Sequence, residues 1–304
     1  MSFAYRAFGL TIQSEIQLPL LQNDSDSPDI EIRYGKCPQN LGKATKHGLK
    51  FEANSDEFLL KVDGCADYYV TEGKKVTIQP RDKSESAESI VSLQLLGPVI
   101  AALLFQREEL FLLHASVVAR NDKAFAIAGR SGSGKSTLAT ALLDLGFQSL
   151  GDDVCALSFD ANARPYARPS IPSAKLWKDS IELLGLEPEG LKRIAPAIEK
   201  LHFPLFDRFS RVDTPLAGIY LLTGEHGLGD ILSPLSAIEG LSAIKEHQFR
   251  KIIATGESQQ RHIFSRSVML ANATTIKSTH RGPKGTTLKE LATHILNDTE
   301  RWER

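Results

Sequence analysis

The chain has 304 residues, with 36 Lys and Arg against 37 Asp and Glu and a net charge of -1. That balance gives no electrostatic reason to expect nucleic acid or an anionic membrane as a partner. A content of 42% hydrophobic and 24% charged residues excludes a disordered chain, and the length points to two domains at about 150 residues each. Three cysteines, Cys37, Cys65 and Cys155, are too few for a disulfide framework and show no metal-ligand pairing, the usage of a reduced, intracellular protein. The N-terminus carries no basic segment followed by a long apolar one, so no signal peptide is expected and the expected location is cytoplasmic.

Residues 1–88 are expected to form a small, mostly antiparallel β-rich N-terminal domain. Residues 29–34 alternate polar and apolar side chains, as a half-buried strand does. Residues 58–62, 68–70 and 75–79 are similar short runs, separated by the turn signals Asp63-Gly64, Glu72-Gly73 and the cluster 23–28. About four to six strands are expected there. The charged, serine-rich stretch 81–88 is expected to be a linker or long turn.

From residue 89 the texture becomes that of an α/β unit, expected to be one catalytic domain over 89–304. The most apolar stretch, 90–105, contains Gln94, Gly97 and Pro98 and is closed by Gln106, Arg107 and Glu108. It is too short for a membrane span and is expected to be a buried core helix. Residues 110–118 are expected to be one apolar strand, Asn121-Asp122 a turn and 124–128 the returning strand. A glycine-rich loop then opens a helix near Lys135 that Gly146 stops. Short strands over 147–150 and 154–159 flank Gly151-Asp152-Asp153. A buried strand over 216–222 and a terminal helix over 288–296 complete the reading.

The loop Gly129-Arg130-Ser131-Gly132-Ser133-Gly134-Lys135-Ser136-Thr137 matches G-x-x-x-x-G-K-[ST] at every fixed position. Its glycines let the backbone wrap phosphate oxygens and aim successive N–H groups inward. The helix that follows turns its positive end to the anion. Lys135 is placed to reach the β- and γ-phosphates and Ser136 to offer a hydroxyl to Mg²⁺. Asp152-Asp153 follows a short strand, with Asp152 sixteen residues after Ser136. Two adjacent carboxylates permit one to bind metal while the other takes a proton from an attacking hydroxyl. His114, alone on an apolar strand, reads on its own as a core residue.

The run Leu113-His-Ala-Ser-Val-Val118, the phosphate loop, Gly146 and Gly151-Asp-Asp153 resemble the catalytic core of HPr kinase/phosphorylase, a bacterial family of P-loop serine kinases. The wider layout is similar to the HPr kinase-like proteins found with lasso-peptide biosynthesis, in Tyr5-Arg-Ala-Phe-Gly-Leu-Thr-Ile-Gln-Ser14, Ala174-Lys-Leu-Trp-Lys-Asp-Ser180 and Pro215-Leu-Ala-Gly-Ile-Tyr-Leu-Leu222. The resemblance implies an HPr-kinase-like P-loop domain that uses ATP (or another NTP) and Mg²⁺. It makes Asp152 the proton acceptor, Asp153 a metal ligand with Ser136, and His114 a neighbour of the phosphates. It also implies a downstream arginine, for which Arg250 is the candidate ahead of Lys200 and Arg211. It points to a homo-oligomer and to a peptide or protein substrate bearing an acceptor serine, with no nucleic acid and no membrane as partner. The chain departs from the family in lacking the glycine-rich signature segment that supplies a further acidic metal contact. Arg164-Pro-Tyr-Ala-Arg-Pro-Ser-Ile-Pro172 and Lys175-Leu-Trp177 stand there instead, and Leu138 follows the loop where an acid is common. HPr itself is therefore a doubtful substrate.

The expected reaction is phosphoryl transfer to a serine hydroxyl. A small-molecule alcohol kinase, such as one acting on free serine, and a nucleotide-binding regulator without transferase activity remain open, and no base-specific motif sets the nucleotide. A transporter ATPase is excluded by the short interval between Ser136 and Asp152, which leaves no room for its signature segment. The basic cluster 277–284 is expected to be a solvated loop.

Overall fold

In the computed structural model the described residues are 2–24, 27–81, 85–195, 198–226, 231–281 and 286–301. Parts of the expected turn at 23–28, of the expected linker at 81–88 and of the basic cluster at 277–284 lie outside them. The chain divides into two compact units. The first comprises residues 1–111, 193–200 and 249–265, and the second residues 112–192, 201–248 and 266–304.

The first unit begins with β1 (Phe3–Ala7), β2 (Leu10–Ser14), β3 (Leu21–Gln22), β4 (Ile30–Tyr34), β5 (Lys46–His47), β6 (Phe51–Ala53), β7 (Glu57–Val62), β8 (Ala66–Thr71) and β9 (Lys75–Pro80). They form one nine-stranded sheet of order β3-β1-β2-β4-β9-β8-β7-β6-β5. Hairpins make it mostly antiparallel, but β4 runs parallel to both β2 and β9. More strands form than the sequence suggested, because the two- and three-residue edge strands are too short to show a period. Alternation decides which side faces the core. In β8, Ala66, Tyr68 and Val70 are buried and their neighbours are not. Helices α1 (Glu85–Gln94) and α2 (Ile100–Arg107) are joined by a π-helical turn, Leu95–Val99. Pro98 inside that turn has no N–H to continue the ladder. Ile90–Arg107 is long and apolar enough to cross a membrane by length and composition alone. Here it is mostly buried in the fold, with every residue from Leu95 to Phe105 in the core. The expected linker is helical from Glu85 onward.

The second unit carries β10 (Phe111–Leu113), β11 (Ala115–Arg120), β12 (Lys123–Gly129), α3 (Lys135–Leu143), β13 (Gln148–Gly151), β14 (Cys155–Phe159), β15 (Pro165–Arg168), β16 (Ser173–Trp177) and α4 (Lys178–Leu183). Next along the chain come β17 (Arg193–Ala195), which belongs to the first unit, and β18 (Ile198–Pro204), which begins there; then β19 (Thr214–His226), β20 (Leu232–Pro234), α5 (Ala237–Glu246), α6 (Glu257–Ala273), whose first half belongs to the first unit, β21 (Thr275–Arg281) and α7 (Leu288–Glu300). Its main sheet has the order β10-β14-β15-β19-β12-β11-β13, with β21 on β19 and β20 on β21. The centre is parallel: β12 pairs β19 and β19 pairs β21. Fully apolar runs such as Ala124–Ala128 are what a strand covered on both faces requires. β11 and β12 form a two-residue hairpin at Asn121-Asp122, both at positive φ (51° and 58°), the conformation that twists with its strands. Val118, Phe125, Ile127, Leu138, Leu142, Tyr220 and Ile295 make the core between sheet and helices.

Two expectations change here. The apolar run 110–118 is two strands, not one. β10 and β11 join different partners, and the break falls at His114, whose N–H is donated to His247 O at 2.7 Å. The start of the basic cluster is not a loop either. Lys277 lies in β21, and its ammonium donates to both Asp298 carboxylate oxygens at 2.6 and 2.8 Å.

Candidate active site

β12 runs into the glycine loop and the loop into α3. Gly129, Gly132 and Gly134 have φ of 153°, 83° and 94°, backbone that L side chains rarely adopt. At Gly129 a Cβ would also press on Leu222 O at 2.8 Å, so only glycine lets β12 pass so close to β19. Gly132 and Gly134 face open space. The Lys135 ammonium, nearly buried, folds back to donate to Gly129 O (3.0 Å) and Arg130 O (3.1 Å). It is thereby held at the mouth of the cradle. Exposed Arg130 reaches Glu246 at 3.3 Å, and Thr137 Oγ1 donates to Ser180 Oγ at 3.0 Å.

β13 ends at Gly151, beside β11, and the two acids follow. Gly151 has φ 156°, and a Cβ there would collide with Ser170 Oγ. Asp152 turns inward and is 4% exposed. Its Oδ1 accepts from Ser116 Oγ (2.6 Å) and Ser136 Oγ (2.8 Å), and its Oδ2 from Lys175 N (3.0 Å) and Ser136 Oγ (3.0 Å). Asp153, in the left-handed region at φ 73°, turns the other way and its side chain is 28% exposed. Lys175 Nζ lies 2.7 Å from Asp153 Oδ2, and His114 Nδ1 lies 3.1 Å from both Asp153 Oδ1 and Asp153 O. Both neighbours of that nitrogen are acceptors, so Nδ1 carries the proton. Burial by itself would raise the Asp153 pKa. The hydrogen bond from His114 and the Lys175 charge outweigh it and hold the carboxyl well below the usual carboxylate range.

Two further histidines border this cluster. Burial lowers the His247 pKa against the opposing pull of Glu246, with Lys135, His114 and Arg130 adding to the lowering. His202 is lowered by burial and by Lys175, against Asp152, and its Nε2 is 3.3 Å from Ser173 Oγ.

The expected residues of the loop, Asp152, Asp153 and His114 thus form one hydrogen-bonded neighbourhood. Arg250 belongs to the first unit. It sits at φ 49° with its guanidinium over the Phe249 ring. Lys200 also falls in the first unit, and Arg211 is exposed. Sequence reasoning missed Lys175 and Ser116 as site residues. Neither belongs to a spaced motif, and each arrives on a neighbouring strand.

The donor set fits a nucleotide with Mg²⁺. A hydroxyl and a carboxylate, Ser136 and Asp152, already share one point in space, and both are the hard oxygen ligands Mg²⁺ takes. The open glycine cradle and Lys135 suit the phosphates.

The chain is therefore an α/β protein with a phosphate loop between a central strand and its helix. No protein-family model matches the chain, and no curated protein matches it. Among solved structures it is similar to the Hpr(Ser) kinase/phosphatase from Coxiella burnetii, at 15% identity, covering 63% of this chain and 92% of that one with a TM-score of 0.35.

Proposed function

We propose that the protein is an ATP- and Mg²⁺-dependent kinase that transfers the γ-phosphoryl group to a serine hydroxyl of a peptide or protein. On the resemblance set out above, that acceptor is a ribosomally made precursor peptide of the lasso type. One observation carries the reading. The loop hydroxyl of Ser136 is bonded to a buried acid, Asp152, while a second, partly exposed acid stands next to it between His114 and Lys175.

The geometry favours a division of labour opposite to the one the resemblance implies. Asp152 is closed in by three donors and is out of reach of a hydroxyl carried on a peptide, so it holds the metal with Ser136. Asp153 is the acid an incoming hydroxyl can touch, so it takes the proton. Lys135 and the loop N–H groups hold the phosphates in line. Bound Mg²⁺ supplies positive charge that offsets the charge spread over the phosphoryl oxygens.

The test is the intact mass of candidate acceptors after incubation with the protein, Mg²⁺ and ATP: precursor peptides, free serine and an HPr protein. The expected result is a gain of one phosphoryl group on a peptide serine, lost in Asp153→Asn while Mg²⁺-nucleotide binding persists. Modification of free serine alone makes it a small-molecule kinase. Nucleotide hydrolysis with no phosphorylated product makes it a regulator, and a nucleotidyl mass gain changes the reaction class.

A further inference from the structure

Lys175 touches both acids, and in two different ways. Its main-chain N–H is donated to Asp152 Oδ2 at 3.0 Å, and its ammonium meets Asp153 Oδ2 at 2.7 Å. The first contact is fixed by the strand β16. The second sits at the end of a flexible four-carbon stem and can be exchanged without moving the backbone. In this arrangement both Asp153 oxygens are occupied, Oδ2 by Lys175 and Oδ1 by His114, so neither is open to an incoming hydroxyl. Lys135, the loop's own cation, is engaged with two loop carbonyls. Among the described residues no group of three or more His, Cys, Asp or Glu side chains is placed to hold a metal. A triphosphate brings about four negative charges, of which one Mg²⁺ offsets two. Lys135 and the loop N–H groups face part of the remaining charge, and the Lys175 ammonium is a further cation in the same cluster. Phosphate oxygens compete well with a single carboxylate for it.

We propose that Lys175 is the switch of this site: its ammonium leaves Asp153 for the terminal phosphoryl group of a bound nucleoside triphosphate, freeing Asp153 to accept the proton of the acceptor hydroxyl. The inference rests on the phosphoryl-transfer reading above. In the step itself, the acceptor oxygen forms a bond to the terminal phosphorus. The bond from that phosphorus to its bridging oxygen breaks, the diphosphate leaves with the electron pair, and the hydroxyl proton passes to Asp153. Lys175 makes the step conditional. The base is blocked while no triphosphate is present and released by the group that is to be transferred.

The experiment compares Lys175→Met and Lys175→Arg with the parent by calorimetric titration with Mg·ADP and with a non-hydrolysable Mg·ATP analogue. Lys175→Met is expected to lose about 10- to 100-fold in affinity for the triphosphate, the range of one charge-assisted hydrogen bond, while Mg·ADP affinity stays within about twofold. Lys175→Arg is expected to keep most of the preference for triphosphate. A residue that merely holds the acids in place would weaken both nucleotides alike, and equal losses, or an unchanged preference in Lys175→Met, overturn the inference alone. A parent protein that binds neither nucleotide overturns the phosphoryl-transfer reading and this inference together.

Discussion

The two nine-stranded sheets bury different things. In the first unit the only described polar side chains in the buried set are Ser14 and Gln259. The second unit buries a long series that includes Ser116, Lys135, Ser149, Asp152, Ser170 and Ser173. A buried polar group costs stability unless it is fully hydrogen-bonded, and a buried charge costs more. The first sheet buries one such group, Ser14, bonded locally to Ile16, and otherwise holds together by apolar alternation, with Tyr68, Ile30 and Leu59 fully buried. In the second, several of them meet at one point, where β11, β16 and the start of α3 converge on Asp152, and others, such as Asp298 with Tyr220 and Lys277, form separate networks. The contrast is between a sheet held mostly by apolar packing and one that carries buried polar networks.

The sharpest way to break that contrast is Asp152→Asn. It puts an amide in reach of Ser116, Ser136 and the Lys175 N–H, three donors that need an acceptor. Turnover is expected to fall by about a hundredfold to ten-thousandfold, the range of several kcal/mol of lost metal-borne stabilisation. Nucleotide binding should lose its Mg²⁺ dependence, as titration with and without the metal will tell. Turnover near the parental rate would return Asp152 to a structural role.

In the first unit the opposite outcome is expected. Leu59→Ala, at a fully buried position of β7, should cost about 2–5 kcal/mol in urea unfolding. Nucleotide affinity per folded molecule should not change. A change in affinity without a loss of stability would show that the first sheet takes part in the chemistry.

Gly151→Ala should be milder, at about 1–3 kcal/mol, because the new Cβ meets Ser170 Oγ on backbone that favours glycine. It should also weaken Mg²⁺-dependent binding, since the strand end that aims Asp152 has to shift. Restored stability in Gly151→Ala with Ser170→Gly would confirm the collision as the cause.

The smallest effect is a pH dependence. His202 and His247 both have imidazole pKa values lowered in the fold, chiefly by burial. The unfolded chain therefore binds more protons just below its own value of about 6.5. The stability contributed by the neutral rings is complete above that pH and is lost as pH falls toward the folded values. Melting temperature should drop between about pH 7 and pH 5.5, and His202→Gln should flatten part of the slope. A slope unchanged in His202→Gln would remove that ring from the account.

Much of this organisation was legible in the residues. The glycine spacing of the loop, its apolar strand and the helix that follows are local, so they could be read as a unit. So could the hairpin at Asn121-Asp122 and the alternating strands β4, β7, β8 and β9. The parallel placement of β4 was not legible, because its partners β2 and β9 lie far along the chain. Neither was the break at His114. An unbroken apolar run carries no mark of the place where a chain changes neighbours, and Leu113 bridges to Gln248 from a distant segment.

The sequence by itself determined the glycine-rich loop over Gly129 to Ser136, the helix it opens and the pair of carboxylates that follows the next strand, because short-range backbone geometry and neighbouring residue types settle them. Only the tertiary structure decided which carboxylate faces the loop. The chain leaves β13 at Gly151 and Asp153 takes the left-handed conformation at φ 73°, so the two adjacent acids face different neighbours. The sheet order that sets β13 beside β11, together with the left-handed turn at Asp153, sent one acid inward to the loop and the other outward to Lys175 and His114.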